Sequence, residues 1–244
     1  MDRRLRRVLN RVQRTVRRYL VPEWRHYRLG EEETLGRVLG LLKVDCVFDV
    51  GANDGGYATM LRDYCGYRGH IISFEPTPDV FVKLRRTASN DPFWHTYDYA
   101  LGRNEGTATF QVHQARQGSS FLPVMARDSH SPGNAIVQQV DVSIRTLNDI
   151  FPILQKKLRF TRPFLKMDTQ GFDLEVFSGA LRVIDSFVGL QSELSIMPYY
   201  EGASLWQDSL KAYEEAGFVL TAFVPCNSDV GLRLREVDSI MARL

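Results

Sequence analysis

Cysteine is scarce. Cys46, Cys65 and Cys226 are odd in number and far apart in 244 residues, so the chain offers no disulfide framework. No C-x-x-C pair or histidine spacing offers a zinc site either, and the three read as reduced, mostly buried thiols. Long apolar runs are missing too: nothing approaches the roughly 18 residues of a membrane span. The Arg-dense start lacks the apolar core and cleavage site of a secretory signal, so a cytoplasmic chain is expected. There is no internal repeat and no low-complexity tract. The dinucleotide fingerprint G-x-G-x-x-G is absent, which argues against a dehydrogenase. MPYY at 197–200 lacks the Asn/Asp-Pro-Pro that would precede an aromatic in base aminomethylation.

What is present divides unevenly. With 44% hydrophobic residues the chain can bury a full core. Residues 1–28 hold ten arginines against Asp2 and Glu23, a charge of +8, whereas residues 29–244 carry −6 by the same count. Leu5, Val8, Leu9, Val12, Val16, Tyr19 and Leu20 recur at helical spacing through this arm. Two units are expected: a basic amphipathic helical arm, 1–28, and one α/β domain, 29–244. The arm suits an anionic membrane surface, which would make the protein peripheral there, an acidic protein partner, or an apolar groove of its own domain. Phosphate binding by the arginines is the weaker option because the rest of the chain is acidic.

The most informative segment is VFDVGANDGGY at 47–57, an apolar strand running through Asp49 into two glycine sites and a helix start. Gly51 bends the backbone, a missing side chain at Gly55 or Gly56 lets a ligand approach, and the next helix presents free amides. Asp49 and Asp54 would repel a diphosphate but welcome an ammonium or a sulfonium. That points to S-adenosylmethionine. A second station, HIISFEP at 70–76, ends in Glu75, whose carboxylate can take two hydrogen bonds from a ribose diol.

Strand and helix patterns alternate beyond the arm. Strands are expected near 45–50, 70–75, 95–101, 162–168 and 187–194, with a closing pair in FVLTAFVP and LREVDSIMARL. Helices are expected near 32–42, 55–65, 78–88, 172–183 and 204–216, the last opening with Ser204 and Gln207 in capping-box spacing. The stretch 106–145 reads as a hairpin insertion beside the carboxyl end of the sheet, where a substrate cover is expected.

RPFLKMDTQGFDLEVFSGA at 162–180 is a third station, in which strand alternation puts Lys166 and Asp168 on one face. GLQSEL at 189–194 brings Glu193 to the end of the next strand. Together with FEP at 74–76, YALGRNEGTATF at 99–110, Ser119-Ser120 and RTLNDI at 145–150, these segments resemble the FkbM-type family of S-adenosylmethionine-dependent methyltransferases, over roughly residues 45–244. Gln170 stands where that family usually has Glu, and the Arg-rich arm is no part of its pattern.

The resemblance implies an α/β, Rossmann-like class I methyltransferase fold: a seven-stranded, mostly parallel sheet with an antiparallel last strand, preceded here by the amphipathic helix. It implies O-methylation of a hydroxyl on a sugar, glycolipid or secondary metabolite. Carried over by position, Asp49, Gly51, Asn53, Gly55 and Tyr57 fall on the cofactor loop and its helix start. Glu75 falls on the ribose, Ala100 and Leu101 on the adenine side with Asp98 beside them, and Asp168 where the methyl is approached. For the base an alcohol needs, Asp168 held by Lys166 is the first choice, with Glu193 as partner or competitor. The alternative is a divalent cation held by Asp168 and Glu193. Met197, Pro198, Tyr199, Tyr200 and Trp206 offer an acceptor wall, with Trp206 equally suited to a core. A non-catalytic nucleotide-binding regulator and an RNA methyltransferase are the rival readings.

Overall fold

A computed structural model describes residues 24–114, 119–126, 128, 133–229 and 233–244. The apolar stripe of the arm, Leu5 to Leu20, lies outside the described residues. In chain order the elements are α1 (Trp24–Leu41), β1 (Cys46–Val50), α2 (Gly56–Asp63), β2 (His70–Phe74), α3 (Pro78–Ala88), β3 (Trp94–Tyr97) and β4 (Ala100–Leu101). There follow β5 (Gly106–His113), β6 (Ile136–Arg145), α4 (Leu147–Leu158), β7 (Pro163–Met167), α5 (Asp173–Ser178), β8 (Gly189–Ser195), α6 (Trp206–Glu215), β9 (Val219–Asp229) and β10 (Arg233–Ala242).

Seven strands form one sheet in the order β3-β2-β1-β7-β8-β10-β9. The first five are parallel, and β10 runs antiparallel to both neighbours. All five residues of β1 and of β7 are buried, as expected of parallel strands covered on both faces. One apolar layer gathers Phe48, Phe151, Phe160 and Phe187, whose rings lie 5.2–5.7 Å apart, under α4 and α5. The other packs α1, α2 and α3 through Leu35, Leu61 and Leu84.

Several sequence expectations are corrected. The strand expected at 95–101 is two, because Ala100 and Leu101 leave the large sheet to pair with β6 in a second sheet of order β4-β6-β5. The expected hairpin at 106–145 is the antiparallel β5–β6 pair of that sheet. α4 was not expected at all, since Pro152 inside it breaks the helical pattern; Thr146 caps it by accepting from the Asp149 amide. The first helix begins at Trp24 rather than near 32, so it runs across the boundary drawn at residue 28. α5 is shorter than expected and stops at Gly179, whose backbone lies against Gly102. The Ser204/Gln207 capping box does not form: Leu205 bridges to Ser195, which holds the chain extended until Trp206.

Candidate active site

Register across the sheet builds the site's foundation. Ser73, Asp49, Lys166 and Gln191 are successive Cα partners across β2, β1, β7 and β8, so their side chains share one face. Ser73 Oγ takes the Trp94 indole hydrogen at 2.9 Å and donates to Asp49 Oδ2 at 3.0 Å. Lys166 Nζ lies 3.1 Å from Asp49 Oδ1, 3.5 Å from Asp168 Oδ2 and 4.9 Å from the centre of the Tyr57 ring. Burial alone would discharge this lysine; Asp49 and then Asp168 outweigh it and push its pKa above the ordinary value. Asp49 itself is fully buried under Lys166. Its charge is spent within the sheet, so the negative charge expected to meet the ligand from this residue is not offered to the cleft.

Above this row opens a cleft of about 920 Å³. At one end the backbone turns left-handed at Gly51 (φ 75°) and Asn53 (φ 50°). A Cβ on Gly51 would sit 2.0 Å from the Asp168 carbonyl oxygen, so only glycine lets β1 and β7 end this close together. Gly55 has a different reason from the one expected: its Cβ would strike the Trp94 ring at 2.8 Å, and Gly56 rather than Gly55 lines the cleft. Glu75 follows β2 with Oε2 accepting from the Asn53 amide at 3.0 Å and Oε1 from the Thr77 amide at 2.9 Å. Burial raises its pKa, and the Thr77 and Asn53 hydrogen bonds oppose that rise. Glu75 lines the cleft at this end. Ala100 and Leu101 complete this end, whereas Asp98 is exposed in the turn before β4 and is not among the lining residues.

At the other end Asp168, Gln170 and Glu193 meet. Gln170 Nε2 donates to Asp168 Oδ1 at 3.1 Å and to Glu193 Oε2 at 2.9 Å, while its Oε1 accepts from Tyr200 Oη at 2.9 Å. The turn carrying these residues is pinned by buried Asp173, which accepts from the Thr169 amide at 2.8 Å and from Ser192 Oγ at 2.8 Å. Glu193 is pushed well above the ordinary carboxyl pKa, first by burial and then by Asp168, Glu236 and Asp238. Asp238, opposite Glu193 on β10, is raised well above its usual range by burial, Glu31 and Asp168. Of the expected site residues, Gly51, Asn53, Tyr57, Glu75, Ala100, Leu101, Lys166, Asp168 and Glu193 line the cleft; Asp49, Gly55 and Asp98 do not.

Others were missed. Gln191 ties three elements together, accepting from Tyr57 Oη at 2.8 Å and donating to Glu31 Oε1 of α1 at 2.9 Å. On the far wall Arg235 forms a buried two-pronged pair with Asp128 at 2.9 and 3.1 Å and lies 4.8 Å over the Tyr199 ring. Asn134 donates to Tyr199 Oη and, at 2.7 Å, to the Asp128 carbonyl. The period-two acids of REVD at 235–238 were the available signal for Glu236 and Asp238, which also line the cleft. Of the proposed wall, Tyr199 and Tyr200 face the cleft, while Trp206 packs on the core. Cys226 is exposed rather than buried, its Sγ 3.7 Å from Glu193 Oε1. Among the described residues no group of three or more His, Cys, Asp or Glu side chains is set to hold a metal ion.

The strand order, the Gly-cornered loop after β1 and the acid after β2 define a Rossmann-like class I methyltransferase. The methyltransferase FkbM domain profile matches residues 49–220, and the chain belongs to this family of S-adenosylmethionine-dependent methyltransferases. Among solved structures, methyltransferase FkbM from Methylobacillus flagellatus KT is 14% identical, with 81% of this chain and 43% of that one covered and a TM-score of 0.49. Magnesium protoporphyrin IX methyltransferase from Synechocystis PCC 6803, solved with bound SAM, is 10% identical over 96% and 91% of the two chains, TM-score 0.48. Aeropyrum pernix fibrillarin, solved with natively bound S-adenosyl-L-methionine, is 10% identical over 81% and 66%, TM-score 0.44. The chain thus spans under half the length of the Methylobacillus protein. No curated protein matches the chain.

Proposed function

We propose that this protein transfers a methyl group from S-adenosylmethionine to a hydroxyl of a sugar-containing acceptor: a glycan, a glycolipid or a glycosylated secondary metabolite. The observation that carries the reading is Asp168. It is an acceptor at both oxygens, toward Lys166 and Gln170, yet its side chain is 40% exposed and lines the cleft. Asp49, the acid of the polar row beneath it, is sealed.

The residues at the Gly51 end fit the cofactor. Buried Glu75, aimed by two backbone amides, suits a ribose diol, and the absence of a Cβ at Gly51 keeps the loop tight against β7. When bound, S-adenosylmethionine supplies an electrophilic methyl group on a sulfonium. The chain's own task is to orient the acceptor and take its proton as the new C–O bond forms. Asp168 receives that proton, and Lys166 compensates the charge lost and regained there. Glu193, whose pKa is pushed up by burial and the neighbouring acids, holds its proton more tightly than an ordinary carboxyl and hydrogen-bonds the acceptor instead of competing as base. Phe121, Phe172 and Tyr199 beside Ser119 and Asn134 combine ring faces with hydrogen-bonding groups, which suits a pyranose.

A nucleic-acid acceptor fits poorly. Among the described residues eight carboxylates line the cleft, and the two cations there, Lys166 and Arg235, are both already paired. The divalent-ion alternative meets the Gln170 amide, which occupies the position between Asp168 and Glu193. Residues 1–28, at +8, are read as the part that brings the acidic domain to an anionic membrane or an acidic partner; among the described residues no helix is long and apolar enough to cross a membrane.

Calorimetry with S-adenosylhomocysteine, followed by methyl transfer to a panel of glycans and lipid-linked sugars, tests the proposal. Asp168→Asn is expected to bind S-adenosylhomocysteine normally and lose about 10²–10⁴-fold in rate. No affinity in the wild type removes the cofactor reading, binding without turnover on any acceptor favours a regulator, and unchanged turnover in Asp168→Asn removes the base.

A further inference from the structure

We propose that Gln170 is a positioning residue: its side-chain amide, keyed in one orientation by Tyr200, gives one hydrogen to Asp168 and one to Glu193, holding both carboxyl groups at fixed angles toward the acceptor. The proposal rests on the O-methyl transfer reading above. A primary amide has two hydrogens and one carbonyl oxygen, and here all are used, at 3.1, 2.9 and 2.9 Å. Flipping the amide would turn its oxygen toward two acceptor oxygens and its hydrogens toward the Tyr200 hydroxyl, so the surrounding groups fix which way it points.

The backbone is committed to this placement. Gln170 is left-handed (φ 54°), a conformation that costs a non-glycine residue energy and persists only where neighbours enforce it. Ser120 enforces it, donating through Oγ to the Gln170 carbonyl at 2.9 Å while accepting from the Leu122 amide at 3.1 Å. Ser120 is itself bridged to Gln111 of β5. The β5–β6 insertion therefore reaches the reacting carboxylates through one side chain. Glutamate has the same length and shape as glutamine but cannot give two hydrogens, so it separates a role in donation from a role in filling space.

The test uses the full chain as wild type, Gln170→Ala and Gln170→Glu. S-adenosylhomocysteine affinity is the folding and cofactor control, and is expected to stay within about threefold in both variants because Gln170 lies at the acceptor end. With the sugar acceptor used for the wild type, kcat is expected to fall by about 100-fold in Gln170→Ala, KM to change little, and Gln170→Glu to give no rescue. A readout independent of any acceptor is the side-chain amide resonance of Gln170 in ¹⁵N-glutamine-labelled protein, which is expected to move in Asp168→Asn, in Glu193→Gln and in Tyr200→Phe. Full rescue by Gln170→Glu, wild-type kcat in Gln170→Ala, or an amide resonance indifferent to both carboxyl replacements overturns the proposal. Failure of the wild type to bind S-adenosylhomocysteine instead overturns the functional reading, which the amide resonance does not report.

Discussion

The two ends of the cleft hold their acids by different means. Glu75 is clamped by main-chain amides from Asn53 and Thr77, one in the turn after β1 and one just beyond Glu75 itself. Asp168 and Glu193 are held by side chains, Lys166 and Gln170, drawn from the strand end and the turn. A main-chain clamp tolerates almost any neighbouring residue; a side-chain clamp fails with one substitution. The Glu75 end is thus conformationally robust and the Asp168 end chemically adjustable, which on the proposed function suits a fold that serves many acceptors.

Replacing Lys166 by methionine attacks the side the two ends share and gives the largest expected effect. Asp49 would be left fully buried without its cation, destabilising the fold by about 3–5 kcal/mol in denaturant unfolding. Wild-type stability in that variant would show that the polar row is not the sheet's electrostatic anchor. Next in size, Glu75→Ala is expected to weaken S-adenosylhomocysteine binding by about 10–100-fold in calorimetry while the fold persists, since the Asn53 and Thr77 amides can turn to water. An unchanged affinity would erase the distinction between the two ends.

The smallest effect is a matter of pH. Glu193 has its folded pKa raised by burial and neighbouring acids, so the folded state holds a proton that the unfolded chain releases above about pH 4.3. Its favourable contribution is complete below that value and is lost as pH rises toward the folded pKa. Glu193→Gln removes this loss and is expected to raise the melting temperature by a few degrees at pH 8 relative to wild type, with little difference at pH 4. Equal shifts at both pH values would mean that Glu193 is not held protonated.

The same contrast explains what could be read before folding. Asp49, Gly51 and Glu75 sit where short local patterns, an apolar run, a glycine corner, an acid before proline, announce themselves. Lys166 and Asp168 followed from strand alternation alone. Gln191 and Glu31 did not: Gln191 meets Tyr57 across a separation of 134 residues and Glu31 across 160, and only the strand order brings them together. Asp98 stands away from the cleft for a related reason, because β3 and β4 separate into two sheets at the turn that carries it. His70 and His95, 25 residues apart in sequence, have ring nitrogens 3.2 Å apart because β2 and β3 are neighbours.

The place of β10 carries one more consequence. It is threaded between β8 and β9 instead of occupying a rim, and it contributes Arg235, Glu236 and Asp238 to the wall of the cleft. Only with residues 233–242 in place is the sheet continuous from β8 to β9, so the attachment of β9 and the wall of the cleft beside Glu193 stand or fall together.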